Sequence, residues 1–92
     1  MNQCSFKVNP QAVVSMHPAG IVILHTGSGV LFSSNATGAR VWSGIERELC
    51  FETIVEELCA AYQIARTTAN DHAQRFLTEL ERHSLVQREV AS

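Results

Sequence analysis

The chain has 92 residues, a hydrophobic fraction of 46%, a charged fraction of 17% and a formal net charge of −2. That length supports one domain with a modest core, and the net negative charge, with Lys7 as the sole lysine, argues against a surface built to neutralise nucleic-acid phosphates. No apolar run approaches the ~20 residues of a membrane span, and the N-terminus lacks a basic-then-apolar signal layout, so the expectation is one cytoplasmic domain, residues 1–92 with a core of about 5–87.

Residues 1–10 are polar except where Phe6 and Val8 alternate, which predicts a short strand ended by Asn9-Pro10. Val13-Val14 precede the turn signal His17-Pro-Ala-Gly20. Ile21-Val-Ile-Leu24 is a β-branched run of strand length, and Thr26-Gly-Ser-Gly29 has the glycines a hairpin connection needs. Val30-Leu-Phe32 forms another short strand, closed by Ser33-Ser34. Together these read as a small antiparallel meander whose last strand, residues 30–33, lies at an edge.

Asn35 is placed to cap a helix, its side-chain oxygen accepting from a free N–H in the first turn. This also accounts for the glycosylation-like Asn35-Ala-Thr37. Gly38, Val41, Trp42, Ile45 and Leu49 follow at helical spacing. Gly38 and Gly44 cost about 1 kcal/mol each relative to Ala, so packing must hold this helix, with the glycines allowing close approach. Trp42, the only tryptophan, is assigned to the centre of the core. A second helix is expected over 51–63, with Phe51, Ile54, Val55, Leu58, Ala61 and Tyr62 on its apolar face and Glu52, Glu56 and Glu57 in water. Residues 64–67 read as a linker, and Thr68 with Asp71 as a variant capping box. The third helix, to about His83, buries Ala69, Ala73, Phe76, Leu77 and Leu80. Leu85-Val86 should pack back on the core and residues 89–92 should fray.

No phosphate loop, HExxH or GxSxG is present. The four histidines are scattered, and no two histidine or cysteine residues stand at the i, i+3 or i, i+4 spacing of a helical metal site. Cys4, Cys50 and Cys59 are odd in number without zinc-type pairing, which fits reduced, buried thiols. A Cys59–His72 pair is far more readily an accident of a short chain than a catalytic dyad. Arg75, Glu79 and Arg82 share one helical face, where mutual surface pairing competes with contact to a charged ligand. The edge strand is either covered or open to pairing with an extended peptide.

The runs Asn35-x-x-Gly38-Ala-x-Val-Trp42, Ile54-Val-x-x-Leu58-x-x-x-Tyr62 and Phe76-Leu-x-x-Leu80-x-x-x-x-Leu85 resemble, in that order, the PqqD-like family over roughly residues 18–87. The family takes its name from the pyrroloquinoline quinone synthesis protein and includes the peptide-recognition domains of ribosomal peptide maturation. The resemblance implies an α+β, winged helix-turn-helix-like fold: a three-stranded antiparallel sheet and three helices. It implies no catalytic activity, cofactor or metal. It also implies that the leader of a precursor peptide binds as an added strand, between the third strand and third helix, and is delivered to a maturation enzyme such as a leader peptidase, cyclase or radical enzyme. By position, the strand is Val30, Leu31, Phe32 and Ser33, and the helix face is His72, Arg75, Phe76 and Glu79.

The chain departs from the family where His72-Ala73 replaces an acid-plus-aliphatic pair, with Asp71 one residue early. Ser84 stands where a glycine is usual before the final leucine, and Cys50 where a Ser or Thr caps the second helix. The reading is therefore a leader-binding module for a lasso-peptide or quinone-cofactor type of pathway. Its rival is a winged-helix DNA-binding regulator, which needs a basic recognition helix; here Arg75 and Arg82 are offset by Asp71, Glu79 and Glu81. A small enzyme using Cys59 or His72 comes third.

Overall fold

A computed structural model describes residues 3–91, with side chains for residues 6–87, and these residues form five strands and three helices. β1 (Gln3–Val8), β2 (Ala12–His17), β3 (Gly20–His25) and β4 (Val30–Asn35) come first. α1 (Ala36–Glu46), α2 (Phe51–Tyr62), α3 (Arg66–Arg82) and β5 (Val86–Ala91) follow. β2, β3 and β4 form the expected three-stranded antiparallel sheet with β3 central. Alternation decides its faces: Ile21, Ile23 and His25 are buried, whereas Val22 and Leu24 point the other way and are half-buried. Gly29, at φ +76°, supplies the left-handed residue of the β3–β4 turn, and its N–H donates to the His25 carbonyl at 2.7 Å.

α1 packs directly on the inner face, against β3 and β4, and α2 and α3 pack on α1 and on each other. Asn35 caps α1 as expected, its Oδ1 accepting from the Gly38 N–H at 3.0 Å. Trp42 is 0% exposed and sits in one cluster with Ile21, Ile23, Ile54, Leu58, Leu77 and Leu80. α1, α2 and α3 thus share a single core with β3.

Several expectations are corrected. Residues 89–91 do not fray: β5 pairs antiparallel with β1, from Val8↔Val86 to Gln3↔Ala91. Ser92 and the Cys4 side chain lie outside the described residues. α3 begins at Arg66, before the expected Thr68 cap, and its N-cap Ala65 makes no side-chain bond. Gln63, in the left-handed conformation, ends α2 and turns the chain within three residues, and buried Ala69 anchors the new first turn. Ala61 and Tyr62 are exposed instead of buried; Tyr62 lies under the Arg40 guanidinium, 5.6 Å from ring centroid. Glu57 is half-buried, and Arg47 donates to both of its carboxylate oxygens at 2.6 and 3.2 Å. That hydrogen bond holds the Glu57 carboxyl below its ordinary range and raises Arg47. Arg75 pairs with Asp71 (3.1 Å), and Glu79 with Arg82 (3.2 Å), so Arg75 and Glu79 are not mutual partners.

The α3–β5 junction is fixed by backbone hydrogen bonds. Ser84 N–H donates to Glu81 O (3.1 Å) and Leu85 N–H to Leu80 O (2.9 Å), the paired bonds of a Schellman ending. Asn9 ties in from the other side, donating from its N–H to Leu85 O (2.9 Å) and from Nδ2 to Ser84 O (2.8 Å). Ser84 takes the left-handed position of that ending, φ 59°. A side chain there costs about 1–2 kcal/mol, which is the physical reason a glycine suits the position. Ser84→Gly is therefore expected to stabilise the fold by about 1 kcal/mol, read as a higher urea midpoint with an unchanged slope.

Candidate functional site

Hydrogen-bond phase on β3 determines what β4 offers to solvent. Residues along a strand direct their backbone groups alternately to one neighbour and the other. Thr26 N–H donates to Gln11 O at 2.9 Å, toward β2, whereas His25 O accepts from Gly29, toward β4. His25, Ile23 and Ile21 therefore serve β4, and their register partners Val30, Phe32 and Ser34 turn their N–H and C=O groups inward. Leu31 and Ser33 turn theirs outward. β4 is an edge strand, so both point away from the sheet.

Beside this edge runs a cleft of about 420 Å³, lined by Phe32, Ser33, Ser34, Asn35, Thr37, Gly38, His72, Arg75, Phe76 and Glu79. Its floor is apolar. The Phe32 ring lies 5.7 Å from Phe76 and 5.5 Å from His83, so two groups of the helical layer hold it. Phe76 is buried while His72 and Arg75, on the same helix, are exposed at the rim. Glu79 is half-buried, with Oε1 3.2 Å from Arg82 and Oε2 3.7 Å from His83. A rim with two potential cations and one carboxylate over an aromatic floor suits a peptide that is partly apolar and partly charged.

Six of the eight residues named from the sequence line this cleft: Phe32, Ser33, His72, Arg75, Phe76 and Glu79. Val30 stands at the hairpin end of the edge, and Leu31 has its side chain on the opposite sheet face, 65% exposed. The sequence reading missed Ser34, Asn35, Thr37 and Gly38. The signal was present, because an N-cap directly after a strand brings the first helical turn against that strand. Elsewhere, Cys50 and Cys59 are half-buried free thiols, and Cys50 Sγ lies 3.2 Å from Thr53 Oγ1, a hydrogen bond that lowers its pKa. Among the described residues, no group of three His, Cys, Asp or Glu side chains is placed to hold a metal ion. Among them, too, no helix is long and apolar enough to cross a membrane.

The family model described as Coenzyme PQQ synthesis protein D (PqqD) matches residues 20–86. Among solved structures, TbiB1 in complex with the TbiA(beta) leader peptide is similar at a TM-score of 0.80 and 31% identity, covering 88% of this chain and 94% of that one. Lasso peptide synthetase B1 complexed with the leader peptide matches the fold at a TM-score of 0.80 and 22% identity, covering 90% and 98%. No curated protein sequence matches the chain.

Gly38 keeps the cleft open where α1 meets β4. A Cβ there would collide with the Ser34 hydroxyl and stand 2.8 Å from both Ser34 Cβ and Phe76 Cε1. Alanine gains about 1 kcal/mol of helix propensity, but overpacking costs about 1–3 kcal/mol, and Ser34 Cβ is fixed by its backbone. Gly38→Ala is expected to lower stability by about 1 kcal/mol in denaturant melts.

Proposed function

The chain belongs to the PqqD family, and on that footing we propose that it is a non-catalytic module that binds the leader segment of a ribosomally made precursor peptide and presents it to a maturation enzyme. The observation that carries this reading is the outward pair of backbone groups at Leu31 and Ser33, lying along an aromatic-floored cleft. An extended peptide adds to such an edge through main-chain hydrogen bonds while alternate side chains enter the cleft. Each bond contributes about 0.5–1.5 kcal/mol net, so several bonds and one or two buried side chains reach useful affinity. The similar proteins complexed with leader peptides support the same assignment.

The surface of α3 disfavours the DNA-binding alternative. Each of its arginines has an acidic neighbour: Arg66 with Glu56 (3.9 Å), Arg75 with Asp71 (3.1 Å) and Arg82 with Glu79 (3.2 Å). A helix so neutralised gains little from releasing phosphate counterions.

Proline at the edge separates peptide pairing from fold stability, because it removes one N–H and fixes φ. Leu31→Pro and Ser33→Pro delete outward donors; Val30→Pro and Phe32→Pro delete inward ones. A labelled leader peptide that binds the native chain is titrated against all four. The outward variants are expected to retain the native circular dichroism and lose roughly twofold to tenfold in affinity per donor. The inward variants should instead melt earlier, having lost a bond to β3. Outward variants that fold and bind like the native chain would contradict strand addition at β4.

A further inference from the structure

The outer face of the sheet, away from the helices, carries an apolar row that the cleft leaves unexplained. Register aligns Val13, Leu24 and Leu31 across β2, β3 and β4. Leu24 is half-buried between flanks that are 56% (Val13) and 65% (Leu31) exposed. The next row on that face is Ser15, Val22 and Ser33, and the one after is His17, Gly20 and Asn35. The exposed apolar surface is thus concentrated in the row nearest the β3–β4 hairpin, with half-buried Val22, flanked by serines, behind it. That row ends at Leu31, on the open edge.

We propose that Leu31 and Leu24 form a second side-chain subsite for the bound peptide, taking one large apolar residue adjacent in sequence to the residue seated in the cleft. The inference rests on the reading of β4 as the peptide-binding edge and goes beyond it. Side chains of directly opposed residues stand on the same sheet face, with Cβ atoms about 4.5–5.5 Å apart. The peptide residue opposite Leu31 must therefore lie on the outer face and extend the Val13–Leu24–Leu31 row. Successive strand residues alternate faces, so its neighbour opposite Phe32 enters the cleft. The peptide is read from both sides, by two consecutive large apolar side chains. The residue opposite Ser33 meets a row whose two flanks, Ser15 and Ser33, are polar, and is free to be small or polar. A row of three side chains bordered by Ser15 and Ser33 fits a single side chain better than a second protein surface.

A display library of randomised peptides, selected in parallel on the native chain, Leu31→Thr and Leu31→Lys, tests this. Threonine keeps strand propensity while removing the apolar surface, and both variants are checked by melts. The native chain should enrich peptides with two adjacent large apolar residues. Leu31→Thr should keep the preference at one of the two and lose it at the other, binding a native-selected peptide about tenfold more weakly. Leu31→Lys should exchange that lost preference for an acidic residue. Unchanged pairs and affinities on both variants would overturn the subsite while leaving peptide binding intact. A change in oligomeric state of the free variants with unchanged peptide preference would assign the row to self-association, and also overturn it. No enrichment on the native chain would overturn the peptide-binding reading itself, and the subsite with it.

Discussion

The contact between Phe32 and Phe76, with ring centroids 5.7 Å apart, sets the distance between the edge strand and α3. Were the two elements closer, the cleft would close; were they further apart, Phe32 would lose the cover that holds β4 on the core. His83, 5.5 Å from the same ring, adds a second contact that keeps it in place. Gly38 completes the arrangement by letting α1 approach Phe76 and Ser34 without filling the space above them. Packing that stabilises the domain therefore also shapes its candidate site, and the backbone of β4 is left free to pair.

The sheet has two edges, and only their surroundings distinguish them. By the same hydrogen-bond phase, β2 turns the backbone groups of Val14 and Met16 outward. The apolar cleft lies beside β4, bounded by α3 and the first turn of α1. An edge supplies orientation and hydrogen bonds to any extended chain; a cleft supplies side-chain selectivity. β4 combines both. β1 and β5 meanwhile pair with one another in a separate two-stranded sheet next to the α3 terminus.

Local signals were the legible part of the sequence. The Asn35 cap, the stripe through Gly38, Val41, Trp42 and Ile45, and the β-branched run at 21–24 each act over a few residues, and each appears as expected. The resemblance to the PqqD-like family assembled them into an element order that matches the fold. What escaped depends on contacts distant in sequence. β5 reads as polar chain because its partner β1 lies about eighty positions earlier, at Gln3–Val8. Arg47 and Glu57 sit on different elements and meet only after α1 and α2 pack. At the site, Phe32 and the helix residues were assigned by family position, whereas Ser34 to Gly38 required knowing that the cap folds the first helical turn over the strand. That Leu31 and Phe32 face opposite ways follows from strand alternation, but which face is the cleft does not.

Amide hydrogen exchange of the free chain and of its complex with a leader peptide addresses the central claim at single-residue level. In the free chain, Val30 and Phe32 should be protected by their bonds to β3, while Leu31 and Ser33 exchange rapidly. The account predicts that peptide binding slows Leu31 and Ser33, with Val14 and Met16 on the other edge unchanged. New protection at Val14 and Met16 with none at Leu31 and Ser33 would contradict it and move the binding edge to β2.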